Sequence, residues 1–351
     1  MTAAKKKNSR RKQARFRSSR RKRIRNTVLL LLLFVVLGGT GIGAIYVLRN
    51  GTVFDKLEDA YVASREFSGG ITDLDSLRAD GFAKNLCVVV SDVPMDGVSL
   101  GENQKGLLLD LDDRKVLYSK QALQKVYPAS ITKIMTAMLA LKYGNMDDVV
   151  TITQENLNLE EGSQVCGFWA GDQVTMDQLL HCLLVYSGND AAAAIAEHVG
   201  GSTDGFVVML NSYARELGCT GTHFTNPHGL QDENHYTTPY DIYLMLKEAL
   251  NYPEFTQITQ SGSYTVEYTH ADGSSASTTL LATDHYLTGE ATPPKNVTIL
   301  GGKTGTTDNA GNCLALLSQN AYGKPYISIV MGASTKDELY EQMSSLLQNI
   351  N

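Results

Sequence analysis

A serine and a lysine stand three residues apart in Pro128-Ala129-Ser130-Ile131-Thr132-Lys133. On a helix that spacing puts both side chains on one face, with Cβ atoms roughly 5–6 Å apart. An amine at that distance can take the proton that a serine hydroxyl must lose to become a nucleophile, so the pair is suited to acyl transfer. The unpaired N–H groups of a helix start would add donors for an oxyanion. Taken alone, the same residues are also the pattern of a capped helix with a solvated lysine one turn in. Two further groups downstream bear on the choice, Ser187-Gly188-Asn189 and Lys303-Thr304-Gly305.

Each group needs an element to hold it. The apolar run from Ser130 to about Tyr143 predicts a helix. Thr175 and Gln178 form a capping box ahead of Leu179, Leu180, Leu183 and Leu184, which predicts a second helix ending at Ser187-Gly188-Asn189. Alanine-rich Asp190 to His198 predicts a tightly packed third helix, and another is expected from about Asp204 to Leu217. Thr238-Pro239 reads as an N-cap with a first-turn proline, starting a helix to about Leu250. Strands are expected at Asn85 to Ser91, Ser263 to Thr269, Thr278 to Leu281, Asn312 to Ser318 and Tyr326 to Gly332. Gly106 to Leu111 and Lys115 to Ser119 alternate around Asp112-Asp113-Arg114, a hairpin by its turn chemistry. Val297 to Leu300 reads as a strand leading into Gly301-Gly302-Lys303-Thr304-Gly305-Thr306, and a last helix starts near Lys336. The polar stretch up to Gly171 reads as a loop-rich excursion. Strands at both ends with helices between them indicate one α+β domain whose sheet closes by long-range pairing.

The amino-terminal end is different in kind. Residues 5–25 carry 13 Lys and Arg and no acid, and the 22 residues 27–48 are uncharged and almost wholly apolar. A stretch of that length can cross a bilayer. Positive charge ahead of it places the N-terminus in the cytoplasm and the rest outside, with a cleaved signal peptide as the alternative. The expected organisation is a basic arm (1–26), a transmembrane helix (27–48), a polar stalk (49–82) and a catalytic domain (83–351). Setting the arm aside leaves 18 basic residues against 37 acidic ones, about −19. Such a balance argues against nucleic acid as a partner. Cys87, Cys166, Cys182, Cys219 and Cys313 show no regular spacing, and free thiols are expected, with one disulfide as the lesser outcome. The seven histidines show no metal-ligand spacing, so neither metal nor cofactor is expected. His228, inside Asn-Pro-His-Gly, reads as a turn residue.

The three groups in this order, each at an expected helix start, helix end or strand, form the set carried by penicillin-binding proteins and class A β-lactamases, with Asp where Gly188 stands here. From about Leu86 to Asn349 the chain resembles D-alanyl-D-alanine carboxypeptidases of the low-molecular-mass penicillin-binding protein type. The likeness extends to Leu109-Asp110, Val116-Leu117-Tyr118, Asn226-Pro227-His228-Gly229-Leu230 and Tyr236-Thr237-Thr238. It implies an antiparallel sheet flanked by helices, with the site between the sheet edge and a helical subdomain. It further implies Ser130 as nucleophile, Lys133 as its base, Ser187 and Asn189 on the opposite wall, and Lys303, Thr304, Gly305 and Thr306 along an edge strand that holds substrate. The oxyanion hole would be the N–H groups of Ser130 and Thr306. Peptidoglycan stem peptide would be the substrate, and β-lactam antibiotics covalent inhibitors.

In two places the chain departs from the pattern. Where relatives often place an arginine after the last strand, Ser334-Thr335-Lys336 offers only Lys336. The sequence also stops after its last helix, so the N-terminal span is expected to act as the anchor. A β-lactamase is the alternative within the fold, but Glu155-Asn156-Leu157-Asn158, which resembles its deacylating element, precedes Ser187 instead of following it. A β-lactam sensor, acylated once without turnover, is the alternative outside catalysis. Sensors of that kind usually carry a cytoplasmic effector domain, for which a 26-residue arm leaves no room.

Overall fold

The computed structural model describes residues 85–350. The basic arm, the apolar stretch 27–48 and the stalk expected over 49–82 lie outside them. Among the described residues no helix is long and apolar enough to cross a membrane.

The hairpin is present as β1 (Lys105–Asp110) and β2 (Lys115–Lys120), with Arg114 in the left-handed region at the turn. The chain then makes a single 3-10 turn, Ala129–Thr132, that runs into α1 (Lys133–Tyr143). Two three-residue strands, β3 (Val149–Thr151) and β4 (Gln173–Thr175), bracket the loop-rich excursion. The capping box at Thr175 and Gln178 forms as expected and starts α2 (Met176–His181), which passes into a π-helical turn, Cys182–Tyr186. Helices α3 (Asn189–Gly200), α4 (Thr203–Glu216) and α5 (Pro239–Ala249) follow, the last capped by the Thr238 hydroxyl with Pro239 in its first turn. Next come α6 (Pro253–Thr259), β5 (Ser263–Thr269), β6 (Ser275–Leu281) and the short α7 (His285–Thr288). The chain closes with β7 (Thr298–Thr307), β8 (Gly311–Gln319), β9 (Pro325–Ala333) and α8 (Lys336–Leu347).

The main sheet is antiparallel, in the order β2-β1-β9-β8-β7. Lys105 pairs with Met331, and this first-to-last pairing is the expected long-range closure. Alternation along the strands feeds two cores. Leu107, Leu109, Ala315, Leu317, Ile327 and Ile329 face the helical subdomain, with α1 through α5. Leu108, Leu314, Leu316 and Val330 face the apolar side of α8 at Leu339, Met343, Leu346 and Leu347. Apolar on both faces, β8 and β9 are the central strands, and β7 is left as an edge. A second antiparallel sheet, β3-β4-β5-β6, stands apart from the first.

Two expectations are corrected. Asn85 to Ser91 is not a strand: Cys87 and Val89 are buried while Val88 and Val90 face solvent. At Cys87 the backbone is satisfied by side chains instead of a ladder. The Cys87 N–H donates to the Tyr243 hydroxyl at 2.9 Å, and the Tyr240 hydroxyl donates to the Cys87 carbonyl at 3.0 Å. Nor does Ser130 open the α-helix. It sits one turn ahead, in the tighter 3-10 segment. All five cysteines are free, as expected, and all five are buried.

Candidate active site

The serine turn is held on three sides. Ala129 precedes Ser130 with φ +49°, a left-handed conformation that costs a non-glycine residue roughly 1–2 kcal/mol. What holds it is a polar chain. Thr225 N–H donates to His235 Nδ1 at 3.0 Å, which leaves the ring proton on Nε2, 2.8 Å from Thr132 Oγ1. Thr132 Oγ1 in turn donates to the Ala129 carbonyl at 2.8 Å. His235 is buried and its pKa is pushed down to about 4, chiefly by burial, so the ring stays neutral in this role.

Lys133 is fully buried at the start of α1. Its Nζ lies 2.9 Å from Ser130 Oγ, 2.7 Å from Asn189 Oδ1 and 2.8 Å from the His228 carbonyl. Burial lowers its pKa well below the ordinary lysine range, and the Lys303 cation adds to the effect. Both favour the neutral amine, which is what a base toward Ser130 must be. Lys303 is equally buried and is pushed down to about 7 by burial, with Asp284 acting in the opposite sense. Its Nζ donates to the Thr304 carbonyl at 3.1 Å.

Ser187 closes the π-helical turn in the left-handed conformation, φ +70°, and Asn189 opens α3. Between them, Gly188 has no room for a side chain: a Cβ there would lie 2.3 Å from Cys166 Sγ. That packing accounts for the glycine where β-lactamases carry Asp. The loop before it is tied to the same place. Asn189 N–H donates to the Gln164 carbonyl at 2.8 Å, and the buried Asp190 carboxylate accepts from Cys166 N–H at 2.8 Å and Gly167 N–H at 3.2 Å.

Edge strand β7 completes the cleft. A Cβ on Gly305 would sit 3.0 Å from Ser130 N and 2.9 Å from the Pro128 carbonyl, so only glycine lets the strand lie against the serine turn. Thr304 and Thr306 share the face toward the cleft, Thr304 Oγ1 bonded to Thr283 Oγ1 at 2.5 Å and Thr306 Oγ1 donating to Asn312 Oδ1 at 3.2 Å. The cleft, about 360 Å³, is lined by Ser130, Ser187, Asn189, Thr304, Gly305 and Thr306 together with Gln164, Lys336 and Tyr340. Six of the eight expected residues therefore line one cavity. Lys133 and Lys303 lie buried behind its wall.

Sequence reasoning missed three participants. The His228 carbonyl binds Lys133 through backbone, which no residue type announces, although Asn-Pro-His-Gly marks the turn. His235 and Gln164 act by tertiary contact and have no local pattern at all.

The arrangement is a buried amine against a serine hydroxyl, facing an unpaired strand edge. Residues 101–335 match the D-alanyl-D-alanine carboxypeptidase family. The chain is 36% identical over 251 residues to the D-alanyl-D-alanine carboxypeptidase DacF of Bacillus subtilis, covering 70% of this chain and 61% of that protein. It is 33% identical over 253 residues to DacC of Escherichia coli, covering 69% and 59%. The chain thus spans about three fifths of the length of these curated relatives. Among solved structures it is similar to the Streptomyces K15 DD-transpeptidase, with TM-score 0.65 and 27% identity over 74% of this chain and 98% of that one. It is also similar to a D-alanyl-D-alanine carboxypeptidase of Mycobacterium tuberculosis, with TM-score 0.63 and 28% identity over 73% and 92%.

Proposed function

The chain belongs to the D-alanyl-D-alanine carboxypeptidase family, and from that premise we propose that it removes the terminal D-alanine from peptidoglycan pentapeptide through an acyl-enzyme on Ser130. The observation that carries this reading is the 2.9 Å contact between Ser130 Oγ and a Lys133 amine whose pKa burial lowers. Neutral Lys133 takes the Ser130 proton as Oγ attacks the carbonyl of the penultimate D-alanine. The developing oxyanion is received by the N–H groups of Ser130 and Thr306, which Gly305 allows to approach. Ser187 passes a proton to the leaving amine, and D-alanine departs. Asn189 fixes Lys133. Substrate lies along β7 as an added strand, its carboxylate toward Thr304, Thr306 and the Lys303 charge. Water then attacks the ester and restores Ser130. A β-lactam would enter the same path and stop as an ester on Ser130.

The apolar stretch 27–48 is proposed as a single-pass anchor in the cell membrane, with the N-terminus cytoplasmic and the catalytic domain outside. Its support is the 22-residue length and the 13 cations ahead of it. The full chain should then sediment with membranes, while recovery of a soluble form beginning near residue 44 would favour cleavage.

The deciding experiment incubates the full chain with a pentapeptide ending in D-Ala-D-Ala and assays free D-alanine. Release that disappears in Ser130→Ala supports the proposal, and labelled penicillin should attach to Ser130. An adduct mapped to Ser187 would overturn the assignment, and labelling without D-alanine release would favour a sensor.

A further inference from the structure

Trp169 is the only tryptophan in the chain, and it is 66% exposed. Tryptophan is usually well buried. Here one face of the indole is covered by His270, stacked at 4.6 Å and 18°, and the exposure belongs to the rest of the ring. The stack is fastened from beneath by Asp172, which is buried. One carboxylate oxygen of Asp172 is 2.7 Å from His270 Nδ1, and the other accepts the Trp169 backbone N–H at 2.8 Å. Tyr268 abuts both Phe168 and His270 edge-on. An aromatic surface set this firmly loses little side-chain freedom when a ligand lands on it.

Its location points to the ligand. Gln164 lines the catalytic cleft, and Trp169 follows five residues later on the same loop. That stretch cannot exceed about 18 Å, and a five-residue stem peptide extended from the cleft covers the same span. The loop is tied to the cleft through Gln164, Cys166 and Gly167. A stem peptide that runs from Ser130 along this loop is therefore long enough to bring a sugar at its amino end to the indole. Charge narrows the choice further. Beyond the basic arm the chain is strongly acidic and disfavours polyanions. The amino sugars of peptidoglycan are N-acetylated, and the lactyl carboxylate is consumed in the amide to the peptide, so a peptide-bearing disaccharide presents neutral rings with flat C–H faces.

We propose that Trp169 is a docking platform for the glycan of peptidoglycan, seating one neutral N-acetylated pyranose ring on its open face while the attached stem peptide enters the cleft. This rests on the reading of the cleft given above. The test uses the full chain and exploits the single tryptophan. In Ser130→Ala, which holds substrate without turnover, disaccharide-pentapeptide should shift or quench the Trp169 emission, and pentapeptide alone should not. In the active chain, Trp169→Ala should raise KM for disaccharide-pentapeptide about 3–10-fold, the range of a stacked aromatic contact, leaving kcat and the bare pentapeptide unaffected. Trp169→Phe should restore part of the loss. Emission indifferent to the sugar-bearing ligand overturns the platform. An equal rise of KM on both substrates also overturns it, because the loop would then be shaping the peptide cleft. Emission that changes with protein concentration and no ligand, without further response to the disaccharide, assigns the face to a second copy of the chain and overturns it likewise. If neither substrate releases D-alanine, the catalytic reading has failed, and the emission titration still decides the platform.

Discussion

The surroundings of Lys133 and of Lys303 invite comparison, because both lysines are buried to 1% exposure or less and burial is the main cause lowering both pKa values. They differ in how they are held. The Lys133 amine meets three oxygens from three separate segments, Ser130, Asn189 and His228. Acceptors favour a charged lysine, so its low pKa means that burial and the second cation outweigh them. Among the described residues the Lys303 amine has one hydrogen-bond partner, the carbonyl of its neighbour Thr304, and its pKa near 7 leaves it partly charged in ordinary conditions. The difference suits a division of labour under the proposed mechanism, with Lys133 as the base and Lys303 as a charge that pH can remove.

The largest effect should come from removing the proposed base. Lys133→Ala should lower kcat/KM for D-alanine release by about 10²–10⁴-fold, the range of general-base catalysis. Lys133→Arg should not recover it, since a guanidinium does not give up its proton. Activity retained by the arginine variant would show that charge at this position, not basicity, is what matters.

For Lys303 the expected loss is smaller and depends on pH. On the proposed mechanism the free enzyme needs Lys133 neutral, which fails as pH falls, and Lys303 charged, which fails as pH rises through about 7. kcat/KM should therefore be bell-shaped with its alkaline limb near 7. Lys303→Gln should cost roughly 10–100-fold, a charge-assisted hydrogen bond's worth, and abolish the alkaline limb. It should also move the acid limb upward, because the cation that helps depress Lys133 is gone. A variant with the wild-type profile would break the proposed link between the two lysines.

His235 sharpens the Lys133 side, through stability. Its pKa is lowered to about 4 in the fold, against an ordinary value of 6.5. As pH falls below 6.5 the unfolded chain takes up a proton that the fold refuses, so stability drops until the fold also titrates near 4. The shift corresponds to roughly 3 kcal/mol. Denaturant titrations of the wild type at pH 7 and pH 4 should differ by about that much more than those of His235→Gln. Equal differences would mean that burial does not keep the ring neutral.

How much of this could be read from the chain follows the same contrast. The three groups at the cleft were legible because each sits where local rules apply: a capping box before Ser187, an alternating strand through Thr304 and Thr306, an i, i+3 pair at Ser130 and Lys133. The hairpin and the capped helices were legible for the same reason. The 3-10 turn at Ser130 was not, since it depends on Ala129 being held at positive φ by His235 and Thr132, more than a hundred residues apart. Asn85 to Ser91 misled because a valine run looks like a ladder strand, while its actual partners are tyrosine hydroxyls on α5. The short β3 and β4 carry too few residues to show a period.

The smallest effects should come from two residues beside the lysines, at the end of the cleft proposed to take the substrate carboxylate. Thr306 and Lys336 both line the cavity. The Thr306 hydroxyl is carried by the strand that lies against the serine turn, and Asn312 orients it. Lys336 is exposed at the first turn of α8, where a flexible ammonium in water contributes about 0.2–1 kcal/mol to an ion pair. Thr306→Val should lower kcat/KM on a free-acid peptide by about 10-fold, with much less effect on its C-terminal amide. Lys336→Ala should cost no more than about 5-fold on either. Ranking the two variants on the acid and amide pair locates the carboxylate. A large loss for Lys336→Ala confined to the acid would move its anchor from the strand to the helix, and the charge that holds it from Lys303 to Lys336.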